Sequence, residues 1–338
     1  MANKKNTVSS GRKETEKQED KIRQAAGRAD RFSKYLRTDM AGEVYAALAT
    51  EQGKHSDSVT DGVVYSTKDD GRIKTETIEI RTQKAAEQFK KPQGTYVTLY
   101  CGEIWKASEA DFDHCVRVLC DTVLKLASQL AEKISSVLVC GLGNRQIVCD
   151  AIGPVTAGEV TVSRHLFTGG ILEPCEEDVL LSAVTPGVLG QTGIEAVELV
   201  RGAVRHVSPD LVILVDALAS RETDRLARTL QLSTTGIFPG GGIGNKRAAI
   251  DREALGVPVM TIGVPTVIDA ATLIYDALSG AKLPFHEMTA EDEERLTEIF
   301  DRAGGMYVSP TDADRIIRDY GRLIAGALNS AFAAECYR

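Results

Sequence analysis

Aromatic side chains are scarce in this 338-residue chain, with one Trp, nine Tyr and eight Phe. A core must therefore be built mainly from aliphatic residues. No apolar run approaches the ~18 residues of a membrane span, and the opening MANKKNTVSSGRKETEKQED has no apolar stretch of the kind a secretory leader needs. The seven cysteines are odd in number and none forms a CxxC pair. That pattern points to reduced thiols in a cytoplasm, not a disulfide framework. Positive charge is in deficit: 40 basic against 48 acidic side chains give a net charge of −8. General binding to nucleic acid or an anionic membrane, both of which need a positive surface, is not expected. The five histidines are scattered and none lies in HExxH. The dinucleotide fingerprint fails because Gln146 stands where GLGNRQ needs its third glycine, and Lys246 in PGGGIGNKR lacks P-loop spacing. The sequence calls for no cofactor and no metal.

What is present is the composition of a globular chain, 43% hydrophobic and 26% charged. The length suits about two average domains or one large α/β domain. Charge is unevenly spread. Residues 1–39 carry eleven Lys or Arg and six Asp or Glu, a local excess of +5, which leaves −13 for the remainder. That basic start has too few large apolar residues to offset the entropy of ordering it, so it reads as a disordered tail or a removable pro-segment. Residues 40–338 read as one α/β domain.

Within that domain, 41–53 and 109–132 have helical spacing, while 72–82 and 95–101 alternate as strands do. The latter two predict a small antiparallel addition near the N-terminus. Four apolar runs follow, three of them holding a glycine: SVLVCG (136–141), DVLLSAVTPG (178–187), LVILVDA (211–217) and VPVMTIGVP (257–265). Helical segments at 193–206, 267–279, 291–303 and 311–334 separate or follow them. Continuous apolar strands mark a buried sheet. The pattern predicts a wound parallel or mixed sheet with helices on both faces.

Chemistry in such a sheet collects at the carboxyl ends of its strands. Asp216 closes the run Leu211–Val215, and Asp150 follows the loop GLGNRQIVC. An Asp is unfavourable there unless something uses it. Either could be a helix cap or a satisfied loop carboxylate. As a pair, one could activate water while the other protonates a leaving group. Glycine-rich loops at Gly141, Gly143 and Asn144, and at Gly240, Gly241, Gly242, Gly244, Asn245 and Lys246, let backbone pass close to a neighbouring loop or a bound peptide. Cys149 with His165 as base is a much weaker candidate, because a buried cysteine is usually a small hydrophobe.

The blocks GLGN-x5-DAIGP, SRHL (163–166), TPGVLGQTGIEAVELVRG (185–202), PDLVILVDALASR (209–221), TLQLSTTGIFPGGGIGNKR (229–247), LGVPVMTIGVPTVIDA (255–270) and MYVSPTDADRIIRDYGRLIAGALNSAF (306–332) resemble the germination protease family of spore-forming bacteria. With RTDMAGE (37–43), the resemblance covers nearly everything after residue 34. The GxGN loop followed by Asp also looks like hydrogenase-maturation proteases, which share a wound α/β core. The resemblance implies an atypical aspartic endopeptidase, made as a zymogen, that degrades small acid-soluble spore proteins. It implies Asp150 and Asp216 as the catalytic pair, a homotetramer, and work in the cytoplasm of the forespore and spore core. Two departures stand out: Cys149 replaces a proline before the first aspartate, and Phe238 replaces a histidine in the TGIHP block. The family's substrates read Thr or Lys, Glu, the cut, Ile or Phe, Ala, Ser, Glu. The segment Thr38-Asp39-Met40-Ala41-Gly42-Glu43 has the same character, so self-cleavage between Asp39 and Met40 is expected, at a point a protease can reach. The plainer reading is a helix start capped by Thr38 or Asp39. Two other function classes stay open: a metal-dependent maturation-type peptidase using the same aspartates as ligands, and a noncatalytic peptide- or nucleotide-binding protein.

Overall fold

The computed structural model describes residues 37–51, 61–173, 175, 178–238, 248–280 and 289–333. The basic segment up to residue 36 and the glycine loop holding Gly240, Gly241, Gly242, Gly244, Asn245 and Lys246 lie outside the described residues. The chain divides into a large unit, Thr38–Ile268 with Ser309–Arg338, and a smaller one, Met1–Arg37 with Asp269–Val308.

Eight strands build the sheet of the large unit: β1 (Val63–Asp69), β2 (Lys74–Ile80), β3 (Gly94–Tyr100), β4 (Ser136–Gly141), β5 (Leu180–Val184), β6 (Leu211–Ser220), β7 (Thr229–Ser233) and β8 (Val259–Asp269). Their order is β1-β2-β3-β7-β8-β6-β4-β5. Pairing is parallel from β8 through β6 and β4 to β5, and antiparallel from β8 through β7, β3 and β2 to β1. The expected antiparallel addition is thus continuous with the parallel sheet, joined through β7. The long helices are α1 (Ala41–Glu51), α2 (Gln83–Phe89), α3 (Glu109–Leu130), α4 (Ile152–Glu159), α5 (Ala196–Val207), α6 (Ala270–Gly280), α7 (Ala290–Ala303) and α8 (Ala313–Phe332).

Alternation along the strands decides which helix covers which face. Leu211, Ile213 and Val215 of β6, with Leu230 and Leu232 of β7, pack with Leu119, Val123, Tyr320 and Ile324 of α3 and α8. Val212 and Leu214 turn the other way and pack with Val197, Val200 and Val204 of α5. Helix α3 buries Cys115, Leu119, Val123 and Leu126, one stripe at helical spacing, and Ser108 caps it by accepting the Asp111 N–H at 3.2 Å. A third core gathers Ala41 and Tyr45 of α1 with Ile78, Ile80, Phe89 and Tyr96. In the smaller unit, Phe300 of α7 packs on Ala271, its ring 6.5 Å from that of Tyr275.

Two strands escape the sequence pattern. Strand β1 is mostly exposed, as an edge strand can be, and β7 has five residues of which the third is Gln231. Strand β6 also runs further than its apolar run suggests, to Ser220, because Ala217–Ser220 continue to pair with β8.

Helices α4 and α8 meet closely at Gly321, where a Cβ would sit 2.6 Å from Val155 Cγ1. Alanine there gains about 1 kcal/mol of helix propensity but overpacks a β-branched neighbour at a cost of about 1–3 kcal/mol. The packing cost wins. Gly321→Ala is expected to lower the thermal midpoint, and an unchanged or raised midpoint in calorimetry would show the interface to be loose.

Candidate active site

The loop after β4 is shaped by three glycines. Gly141 and Gly153 stand back to back: a Cβ on Gly141 would lie 2.2 Å from the Gly153 carbonyl oxygen, and one on Gly153 would lie 2.2 Å from that of Leu142. The Gly153 position also comes within 2.5 Å of Val215 O. With the bond from Leu142 N–H to Val215 O at 2.8 Å, the loop is laid directly on the Val215–Asp216 peptide of β6. Gly143 has φ +105°, and its Cβ would meet Asp150 O at 2.1 Å and Asp150 Oδ1 at 2.9 Å. These glycines serve close approach within the chain.

Asp150 is half-buried, and its Oδ2 accepts the Asn144 N–H at 2.8 Å. Asn144 is itself fixed, its Oδ1 accepting from Gln146 N at 2.9 Å and Gln191 Nε2 at 2.7 Å. Thr266 of β8 donates to the Cys149 carbonyl at 2.6 Å, tying the loop to a second strand. The Cys149 thiol is pushed above its ordinary range by burial and by the Asp150 carboxylate. It stays protonated at neutral pH, and His165, its proposed base, is exposed on the short helix Arg164–Thr168. That arrangement gives no activated thiol.

Asp216 is 6% exposed and lies inside β6, four residues before its end, not at the carboxyl terminus that the apolar run suggested. Its row across the sheet is informative. Asp216 pairs with Gly263 of β8, and Gly263 pairs with Gln231 of β7. Their neighbours Val215, Ile262, Val264, Leu230 and Leu232 all belong to the core on the α3 and α8 face. Asp216 and Gln231 therefore share the opposite face, about 10 Å apart at two strand spacings. Gly263 between them has no side chain, and Leu218 leans into the space: a Cβ there would lie 2.5 Å from Leu218 Cδ1.

The junction with the basic arm is on this face. Asp39 N–H donates to Ala219 O at 2.9 Å, and the Asp39 Oδ2 accepts from Ala219 N at 2.8 Å. The Asp39 carbonyl accepts from Lys91 Nζ at 2.8 Å and from Gln231 Nε2 at 3.1 Å. Met40 is fully buried, so the expected cut is not at a point open to an outside protease. Thr38 Oγ1 accepts the Met40 N–H at 2.9 Å and donates to Glu43. The plain helix-cap reading of Thr38 or Asp39 does not describe these bonds, which go to Met40, Glu43 and Ala219.

Glu43 closes the junction. Its Oε2 accepts from Arg221 N at 2.8 Å and its Oε1 from Glu222 N at 2.9 Å, with Arg225 Nε 3.9 Å away. Arg225 also reaches Glu76 at 3.3 Å, and Tyr65 donates to that carboxylate at 3.0 Å. Burial raises the Glu43 pKa; the bonds from Thr38, Glu222 and Arg221 and the Arg225 charge oppose that rise. Sequence reasoning missed Lys91, Gln231 and Arg225. Gln231 alone had a signal, as a polar residue in the apolar run TLQLS. Phe238, in place of the family histidine, is exposed. Among the described residues no group of three or more His, Cys, Asp or Glu converges as a metal site would require. No helix among them is long and apolar enough to cross a membrane.

Two outcomes follow from this geometry. Gly143→Ala places a methyl against the backbone and carboxylate of Asp150 at a positive φ, so about 1–3 kcal/mol of stability should be lost. Peptidase activity should fall further than that loss explains, measured at a temperature where the variant is folded; proportional losses would make Gly143 a fold residue only. Glu43 gives a pH test. Its folded pKa lies above the unfolded value, so its contribution is full below the unfolded pKa and is lost as pH rises through the folded one. Urea midpoints taken from about pH 4 to about pH 7 should fall less steeply for Glu43→Gln than for wild type.

A family profile described as Germination protease matches residues 40–294. The germination protease of Clostridium acetobutylicum is 34% identical over 314 residues, covering 88% of this chain and 94% of its own length. That of Clostridium perfringens is 35% identical over 316 residues with the same coverage, and that of Bacillus subtilis is 38% identical over 249 residues, covering 72% and 66%. A nickel–iron hydrogenase maturation protease from Thermococcus kodakarensis KOD1 overlaps 60% of this chain and 99% of its own, at 15% identity and a TM-score of 0.31, too slight a likeness to bear on the fold. The extent of the match and the level of identity agree: this chain belongs to the germination protease family, and it is a peptidase.

Proposed function

We propose that the chain is an endopeptidase made as a zymogen, which cuts itself between Asp39 and Met40 and then hydrolyses small acid-soluble spore proteins during germination. Asp150 and Asp216 are its water-activating pair, and it works as a homotetramer in the cytoplasm of the forespore and spore core. The observation that carries this reading is the position of the Asp39–Met40 peptide. Met40 is fully buried, and Asp39 is bonded to Ala219 of the strand that carries Asp216 and to Gln231, which is in register with Asp216 through Gly263.

The chemistry follows from that placement. One carboxylate takes a proton from water, the oxygen attacks the Asp39 carbonyl carbon, and the other carboxyl delivers a proton to the Met40 nitrogen as the C–N bond breaks. The pair titrates as a unit, so acid and base are roles of the dyad. An intramolecular substrate already in position needs no encounter, which lets the first cut precede all others. Removing the arm takes away the +5 segment from a body of charge −13. The substrates' acid at the cut and acid four residues beyond it correspond here to Asp39 and Glu43.

Asp150→Asn and Asp216→Asn keep shape but can neither accept nor pass the proton. Each should slow both self-cleavage and cleavage of an added spore protein by about 100-fold or more with the fold intact. Intact mass and N-terminal sequencing of the matured wild-type protein should give Met40 as the first residue. A variant that retains more than about a tenth of the rate would remove that aspartate from the mechanism. Loss of both cleavages on adding EDTA would instead favour the two aspartates as metal ligands.

A further inference from the structure

We propose that Lys91 and Gln231 are catalytic residues that stabilise the oxyanion formed at the Asp39 carbonyl, and that Gln231 at the same time reads the substrate main chain on both sides of the cut. This rests on Asp39–Met40 being the bond cleaved. The Asp39 carbonyl oxygen receives two side-chain donors, Lys91 Nζ at 2.8 Å and Gln231 Nε2 at 3.1 Å. The other end of the same carboxamide, Gln231 Oε1, accepts the Ala41 N–H at 2.8 Å. The orientation of the amide is fixed by its partners, since a carbonyl can only accept and an N–H can only donate. One side chain thus bonds the carbonyl before the scissile bond and the N–H one residue after the new amine.

Both donors are placed by rigid backbone. Gln231 is 8% exposed at the centre of β7, in register with Gly263 and, across it, Asp216. Lys91 follows the C-cap of α2, where Lys90 has φ 52° and Lys91 N–H returns to Ala86 O at 3.1 Å. Its ammonium is desolvated, which lowers its pKa, while the carboxylates of Asp39 and Glu43 raise it. It keeps an N–H to give in either charge state.

One donor would satisfy a buried carbonyl. Two converging side-chain donors, preorganised in a water-poor site, are what charge developing on that oxygen requires. When water attacks the carbonyl carbon, the π electrons move onto the oxygen that these donors hold. When the intermediate collapses, they re-form the carbonyl, the C–N bond breaks, and the second carboxyl of the pair gives its proton to the Met40 nitrogen while the first keeps the proton taken from water. The oxyanion is neutralised within the step, so nothing is oxidised or reduced. Because the contacts are to main chain, the same two side chains can hold any peptide laid along this path.

The test follows self-cleavage of the full chain by intact mass, with thermal midpoints measured alongside. Gln231→Glu retains an oxygen for the Ala41 N–H and replaces the donor to Asp39 with an acceptor. It should slow the cut by about 100-fold or more at a nearly unchanged midpoint. Lys91→Met should slow it to a similar degree, and Lys91→Arg should recover the rate to within about tenfold of wild type. A merely structural clamp predicts a lowered midpoint and a rate that is unchanged or raised, because the segment is freed. Gln231→Glu cutting at the wild-type rate, or Lys91→Arg no better than Lys91→Met, would overturn the assignment. Wild-type protein that cuts at another bond, or not at all, would take down the self-processing reading and this inference with it; variants that cut normally at Asp39–Met40 would defeat this inference alone.

Discussion

A carboxylate buried at the first turn of α1 sets the terms for everything around it. Glu43 is 4% exposed and would be costly there unpaired. Its oxygens are met by the backbone N–H groups of Arg221 and Glu222, just past β6, by Thr38, and more distantly by Arg225. Those bonds fix the start of α1 against the end of β6. Thr38, Asp39 and Met40 then lie between the end of β6 and the start of α1, where Asp39 finds Ala219 while its carbonyl finds Lys91 and Gln231. Breaking a buried ion cluster by removing one partner typically costs about 3–5 kcal/mol, so the junction is held more firmly than a surface loop would be.

The two faces of the sheet divide the labour. Helices α3 and α8 cover one face with a continuous apolar core from β3 to β5. The other face is covered by α5 over β4 and β6, and by α1 and α2 over β2 and β3. Between those two patches run Gln231, Gly263 and Asp216. Polar residues there do not interrupt an apolar layer, so the sheet can carry Asp216 inside a strand without losing its core. The loop bearing Asp150 reaches Val215 only because Gly141 and Gly153 have no side chains.

Much of this was readable in the sequence, and the failures have physical causes. Strand β4 matches its apolar run residue for residue, because a buried parallel strand needs nothing but apolar side chains. Gly141 and Gly143 announced close approach, and their contacts are with the chain itself. Asp216 was legible as a residue needing a reason, but not its depth: its apolar run stops at Ala217, and pairing with β8, a nonlocal effect, carries the strand on to Ser220. Strand β1 carries Ser, Thr, Lys and Asp and could be found only through its partner β2. Lys91 sits in KKPQG, a run that reads as a solvated turn, and its contact with Asp39 spans 52 residues. No local pattern encodes such a meeting.

The hydrogen bonds at the junction also separate two kinds of recognition. Gln231 and Lys91 hold main-chain atoms, which every peptide has, so these contacts are indifferent to side-chain identity. The side chains held here are acids. Asp39 gives its carboxylate to Ala219 N–H, and Glu43 gives its own to Arg221 and Glu222 N–H. An apolar residue at either place would leave a backbone donor of the β6 end unpaired in a buried setting, at a cost of about 1–3 kcal/mol for each. That is about one to two orders of magnitude in favour of an acceptor side chain over an apolar one at each place. If the proposed cut is the one made, a preference for acceptor side chains at positions 39 and 43 needs no dedicated basic pocket. Backbone N–H groups at the end of one strand are enough, and Arg225, bonded to Glu76 and Glu222, keeps that strand end in place.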